Sequence, residues 1–296
     1  MVAIERIDEY GGNLREMPPR KFPITHAHNG FAFETHRVMR TNMWELRHRA
    51  YPFEQILGYD AFRTPDEIRH HIQPRPGRLV EVVFARTIRS NPKDVGVVTQ
   101  EIVDVIVAEQ NRRILSIGVK AILPELQNHN IGTLLLEDAL LEHDEIDAVT
   151  GKSRNPRVFR YLEKSLLIKI IHGFEEDFTP EVVEALSQAL DTTAFKQITD
   201  LRRGLCVGIY PPADSRLFIA PKNNEVAERI VDKLRERGVE PGGTNGIRYF
   251  AEVDKEAVKA AQSDYRMTET LDSVTSRDYP EAIKRILEAL RFPWLQ

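Results

Sequence analysis

The stretch from Arg112 to Leu140, RRILSIGVKAILPELQNHNIGTLLLEDAL, constrains the fold more than any other part of the chain. Residues 112–123 form an apolar strand that stops at Pro124, because proline has no N–H for a ladder. A short polar turn follows. Residues 131–143 then set Ile131, Leu134, Leu135, Ala139 and Leu140 on the inward side of a helix, with Glu137, Asp138 and Glu142 on the solvated side. Strand, tight turn and long helix make a core βα unit, so the chain is α/β. The first N–H groups of such a helix lack intrahelical partners, and the aligned peptide dipoles add positive charge there. A phosphate-bearing ligand can dock on those groups if the backbone comes close, and Gly132 favours close approach. A polar loop that binds nothing would have the same outline.

A second unit follows. DAVTG (147–151) is a short strand. NPRVFRYLEKSL (155–166) is a helix with Asn155 as its cap and Pro156 at its first position. LLIKIIHGF (166–174) is a further strand. The segment QNHNIG, Gln127-Asn128-His129-Asn130-Ile131-Gly132, resembles motif A of the GNAT N-acetyltransferase superfamily, written Q/R-x-x-G-x-G/A. Its surroundings match too: a strand, a Pro-Glu pair, the loop, then a leucine-rich helix. The strand and helix downstream look like the elements that flank the pantetheine arm, and Asn155 stands where the family often has asparagine. The resemblance covers 36–175 in element order and 112–167 in motif detail.

The resemblance implies a GNAT-like mixed, splayed sheet flanked by helices, followed by a second, smaller α/β segment. It implies that amides from Gln127 through Thr133 (Asn128, His129, Asn130, Ile131 and Gly132 between them) bind the pyrophosphate of acetyl-CoA or another acyl-CoA. Ile122 and Leu123 would pair with the pantetheine amides. The acceptor would be a small-molecule or peptide amine entering from the opposite side, with direct attack on the thioester. The sequence departs from the pattern in three places. Asn130 replaces the first glycine, although asparagine tolerates the left-handed region. The turn carries only His129, leaving Lys152, Arg154 or Arg157 to supply charge. The tyrosine that protonates the departing thiolate in the family is Leu162 here. Tyr161, the one catalytic candidate, stands one residue early, about 100° round the helix.

Elsewhere, residues 1–35 with Pro18, Pro19 and Pro23 read as an N-terminal arm. Residues 36–59 have helical spacing, and PDEIRHHIQ suggests a short helix. RLVEVVFARTI (78–88) is a strand, and 95–110 is β-branched throughout, a strand pair or a helix over 99–109. After Phe178 come a helix started by Thr179 and Pro180, strands in GLCVGIYPP and RLFIA, and an amphipathic helix over 223–238. The strand GIRYFAEV, the helix DKEAVKAAQ and a terminal helix YPEAIKRILEAL follow. The domains expected are therefore 1–35, a GNAT-like acyl-CoA-binding domain over 36–176, and a C-terminal α/β domain over 177–296.

The net charge of -4 argues against a mainly electrostatic nucleic-acid binder. No apolar run approaches the length of a membrane span; SLLIKIIHGF is short and carries Lys169. A single cysteine, Cys206, forms no intrachain disulfide and reads as a small buried hydrophobe. A cytoplasmic protein is expected, and a homodimer is left open. His26 and His28, and His70 and His71, lack a converging third ligand, so no metal is expected. Glu101, Asp104, Glu109 and Ser116 are candidates for a general base, though no spacing singles one out. Besides an N-acyltransferase, the sequence allows an inactive acyl-CoA-binding or regulatory protein, an interaction protein, or a long-chain N-acyl amino acid or acyl-homoserine-lactone synthase-like enzyme. The last rests on WELRHRAYPFEQILGYD near 44–60.

Overall fold

Strand pairing, more than helix packing, sets where the site lies. The computed structural model describes residues 24–28, 31–37, 43–50, 53, 77–87, 93–123, 131–143, 145–210, 225–240 and 242–262. Its strands are β1 (Ile24–His28), β2 (Phe31–Arg37), β3 (Arg78–Thr87), β4 (Asp94–Val107), β5 (Gln110–Ile122), β6 (Ile146–Ser153), β7 (Ile168–His172), β8 (Leu205–Cys206) and β9 (Gly246–Val253). They form one sheet in the order β1-β2-β3-β4-β5-β6-β9-β7, with β8 also on β9. Only β5 and β6 run parallel; the other pairs are antiparallel. The helices are α1 (Met43–Ala50), α2 (Ile131–Glu142), α3 (Pro156–Lys164), α4 (Pro180–Ala189), α5 (Thr192–Lys196), α6 (Glu225–Glu236) and α7 (255–262).

Helices cover both faces, as the mixed GNAT-like sheet read from the sequence requires. On one face Leu134 and Leu135 of α2, Phe159 and Leu162 of α3, and Ile230 and Leu234 of α6 pack on Leu115, Val149 and Ala251. On the other, Leu46 and Ala50 of α1 cover Val82, Phe84 and Val119, while Val182 and Leu186 of α4 cover Val105, Ile114, Ala148 and Phe250.

Three sequence expectations need correction. The stretch 95–110 is neither a strand pair nor a helix: β4 is one strand of 14 residues, turning at Ala108 and Glu109 into β5. The irregular arm over 1–35 contains β1 and most of β2, and β2 holds residues to Arg37, so α1 starts only at Met43. The strand signal was obscured by charge. Glu34 and His36 face the α1 side, where Glu34 Oε1 accepts from Arg49 at 2.7 Å and contacts His36 Nε2 at 2.6 Å. Arg86 Nη1 donates to Glu34 Oε2 at 3.0 Å, and Arg49 holds Asp94 through two bonds of 2.8 and 2.9 Å. A polar pattern that looks like a loop is therefore a buried ion-pair network. The third correction concerns the boundary at 176. β9, from the segment assigned to a separate domain, lies between β6 and β7 in the common sheet. The strand expected over GLCVGIYPP is only the two residues of β8. PDEIRHHIQ, RLFIA and the terminal helix lie outside the described residues.

The Glu34 network has a pH consequence. His36, then Arg49, hold the Glu34 carboxyl down at about 2 against burial, from an ordinary 4.5. A depressed carboxylate stabilises the fold above its unfolded pKa and loses that contribution as pH falls through its folded one. Acid titration is expected to remove this contribution between pH 4.5 and 2. Glu34→Gln should flatten that limb when melts are followed by circular dichroism. An unchanged limb would mean that Glu34 is not the group responsible.

Candidate functional site

A fork opens in the middle of the sheet. β5 and β6 pair from Arg113 and Ile146 as far as Ser116 and Thr150, and no further. Both strands continue. β5 runs on to Ile122 held by β4, and β6 runs on to Ser153 held by β9. A bulge in β5 starts the divergence: Gly118 and Val119 stand opposite the single residue Thr99. Thr99 Oγ1 accepts from Val119 N at 2.8 Å, and a Cβ on Gly118 would meet that oxygen at 2.5 Å. Glycine is thus required at 118 by close approach. Leu123 N donates to Val95 O at 2.9 Å. Alternation along an antiparallel pair then turns the peptide groups of Ala121 toward β4 and those of Lys120 and Ile122 toward the fork.

The start of α2 stands at the open end of β5. No acidic residue occupies its first turn. Lys120 Nζ donates to Gly132 O at 2.8 Å and lies 3.4 Å from the centre of the Tyr161 ring. A Cβ on Gly132 would touch Ile122, Tyr161 and Lys120 at 3.5, 3.5 and 3.8 Å. Gly132 therefore lets these three side chains pack close to a helical first turn and is not a left-handed turn residue. Burial holds the Lys120 amine well below the usual lysine value. Among the described residues no carboxylate contacts that amine. A lysine and a helix N-terminus share one place, and both favour an anion there. The residues present therefore fit a pyrophosphate.

Tyr161 faces this place, although a turn of 100° had been expected to carry it elsewhere. It is buried on α3 against Gly132 and Lys120, while Leu162 sits in the core beneath the sheet face. Burial, and a hydrogen bond to Tyr249, raise the Tyr161 hydroxyl well above its ordinary value. Burial likewise puts Tyr249 up to about 12. Tyr249 projects from β9 against Gly151 of β6, in the arm of the fork. Both phenols stay protonated at neutral pH, so the pair can supply a proton but cannot act as a base.

The other expected residues divide. Ile122 lines the fork, but the amide of Leu123 is committed to β4. Ile131 and Thr133 are buried in the first turn of α2. Gln127, Asn128, His129 and Asn130 lie outside the described residues. Asn155 caps α3, accepting from Arg157 N at 3.0 Å, while its own N–H donates to Ser153 Oγ at 3.0 Å. Lys152 donates to Gln197 at 2.9 Å, and Arg154 donates to the carbonyl of Gly243, so neither reaches the α2 turn in this arrangement. Glu101 pairs with Arg78 and Asp104 with Arg113, at 2.9 and 2.8 Å, and Glu109 is in the β4–β5 turn. Ser116 is at the last β5–β6 pair, where the fork begins. Lys120 and Tyr249 went unnoticed in the sequence. Lys120 lies inside an apolar strand at a position that alternation from Leu115 and Ile117 alone would have turned away from α2; the bulge turns it toward the helix. Tyr249 comes from β9, whose place in the sheet had no local signal.

No protein-family model matches the chain, and no curated protein matches it. Solved structures do match, and acetyltransferases are among them. An aminoglycoside acetyltransferase from an uncultured soil metagenomic sample, in complex with trehalose, is 16% identical over 38% of this chain and 68% of that one, with a TM-score of 0.28. The GNAT-family acetyltransferase of Streptococcus pneumoniae is 15% identical over 47% of this chain and 87% of that one, with a TM-score of 0.31. A chain of the KacTA–DNA complex is 15% identical over 40% and 73%, with a TM-score of 0.29. Among the described residues no helix is long and apolar enough to cross a membrane.

Proposed function

We propose that the protein is an N-acyltransferase that moves an acetyl or other acyl group from acyl-CoA to an amine. One observation carries this reading: β5 and β6 stop pairing at Ser116 and Thr150 although both strands go on, and α2 begins at the end of the gap. An extended amide-bearing arm can pair with the peptide groups of Lys120 in the gap. Its phosphates would then meet the N–H groups of α2 and the Lys120 amine, whose protonation an arriving anion favours. In the transfer the amine nitrogen bonds to the thioester carbon, the carbon–sulfur bond breaks, and the leaving thiolate takes a proton. The Tyr161–Tyr249 pair is the proposed source of that proton, supported by both phenols being held protonated, and the amine must lose its own to water or to a base at the far mouth of the fork.

A second reading, an acyl-CoA-binding protein without chemistry, is favoured by Leu162, which holds the tyrosine's place in the motif and is buried in the core. Calorimetric titration with acetyl-CoA and CoA, followed by thiol release across a panel of amines, separates the two. Binding with release supports transfer; binding without release leaves the second reading; no binding by the folded protein removes both. Tyr161→Phe is expected to lower kcat by about tenfold to a hundredfold and leave acetyl-CoA affinity unchanged. Unchanged turnover in that variant would take Tyr161 out of the proton path.

A further inference from the structure

Arg248 of β9 is buried to 4% exposure, and its Nε has no hydrogen-bond partner. Among the described residues its guanidinium makes no ion pair. Directly across the ladder, in register, stands Lys152 of β6. Like charges directly opposite on one sheet face repel. Among the described residues Lys152 Nζ has only the Gln197 side-chain oxygen, at 2.9 Å. The groups whose charge acts favourably on Arg248 are Cys206, Tyr210, Tyr249 and Asp191. Asp191 is itself engaged as the cap of α5, accepting from Ala194 N at 2.7 Å. Burying a guanidinium without a counter-charge is costly, and adding an ammonium beside it costs more.

The pair has a defined place. Strand alternation sets Lys152 and Arg248 on the same face as Ala148 and Phe250, which pack under α4, opposite the face covered by α2 and α3. Lys152 lies two residues past Thr150, where the fork begins, or about 7 Å along the strand. The wall around it comes from the segment between β7 and β9: Cys206 beneath, Gln197 at the end of α5, and Tyr210, whose hydroxyl donates to Lys152 O at 3.0 Å.

We propose that Arg248 and Lys152 form a seat for an anionic group, a carboxylate or a phosphate, on the amine acceptor. This rests on the acyl-transfer reading for the word acceptor, but the anion seat itself does not. A free guanidinium fork takes either group through two parallel bonds, and the ammonium adds a third. With the anion there and the nitrogen at the fork, the acceptor is an amine whose carboxylate or phosphate is several bonds from the nitrogen. The segment inserted before β9 then selects the acceptor.

Melting of the whole protein with inorganic phosphate or succinate, against chloride at equal ionic strength, tests the seat. Wild type is expected to be stabilised by at least one of the two anions, and which one separates a phosphate seat from a carboxylate seat. Arg248→Met should lose most of that response and melt no lower than wild type without anion, since a purely structural arginine would destabilise on removal. Lys152→Met, at an exposed position, should weaken the response and serves if Arg248→Met does not fold. Phosphate held at the α2 turn instead would leave the response intact in both variants and overturn the proposal. So would a wild type indifferent to both anions. Where amines are turned over, Arg248→Met should raise the KM of anionic amines about tenfold to a hundredfold, with acetyl-CoA affinity and the KM of neutral amines unchanged. An anion response without acetyl-CoA binding would retain the seat and remove the transferase reading; acetyl-CoA binding without an anion response would do the reverse.

Discussion

A chain ending at Asp177 is expected to show no cooperative melt and no acyl-CoA binding. The shortened chain would keep every residue of the motif region and the whole of β5, α2, β6 and α3. It would lose β9, which is the ladder partner of β7 and one of the two partners of β6. It would also lose Ile230, Leu234, Ile247, Tyr249 and Phe250, each at most 2% exposed. Burial of one such side chain stabilises by about 1.5–3 kcal/mol. Together they rival the whole stability of an ordinary domain, about 5–15 kcal/mol. Circular dichroism melts and amide NMR spectra of the two lengths decide the matter. A dispersed spectrum from the short chain would mean that the motif region folds by itself and that β9 only extends it.

The second large effect is expected from Gly132→Trp. The space beside Gly132 is bounded by Ile122, Tyr161 and Lys120, with a Cβ in ordinary contact with all three. Alanine fits there, so Gly132→Ala should bind acetyl-CoA almost as wild type does. An indole has to spread over the first turn of α2 and cover the N–H groups that would hold a pyrophosphate. Acetyl-CoA affinity is expected to fall at least about a hundredfold, more than 2.7 kcal/mol. Lys120→Met gives an independent measure: about tenfold weaker binding, from loss of one charge-assisted contact, without loss of fold. Calorimetry on the three variants, each checked by its melt, reads this out. Wild-type affinity in Gly132→Trp would place the ligand elsewhere.

How much of this could be seen in the sequence follows from the range of the forces involved. The β5–α2 and β6–α3 units were legible because their signals are local. Pro124 ends a strand, Asn155 and Pro156 start a helix, and the cap bond to Arg157 N is there. The N-terminal strands were missed because Glu34 and His36 take inward positions that alternation reserves for apolar residues, and their partners Arg49 and Arg86 lie 15 and 52 residues away. The site divided along the same line. Gly132 was found from spacing. Lys120 reaches the α2 turn only because the bulge at Gly118 and Val119 changes which side of β5 faces which neighbour. Tyr249, and the Arg248 of the proposed anion seat, reach the fork through a ladder whose two strands are about a hundred residues apart, for example Thr150 with Phe250. No window of sequence contains that pairing.

The late arrival of β9 also shapes how the protein is made. When β7 leaves the ribosome its sheet partner has not been synthesised, and the gap from His172 to Gly246 takes about 4–15 s at ordinary elongation rates. For that interval β6 and β7 have edges open on the side that β9 will fill, and the apolar faces of Val149 and Ile171 lack the cover of Tyr249 and Ala251. Open edges flanked by apolar residues invite pairing with another chain. Folding that waits for contacts so distant is slow compared with local helix pairing. Yield in cells should therefore depend on holding the nascent chain apart from its neighbours until the last strand slides between the two it separates.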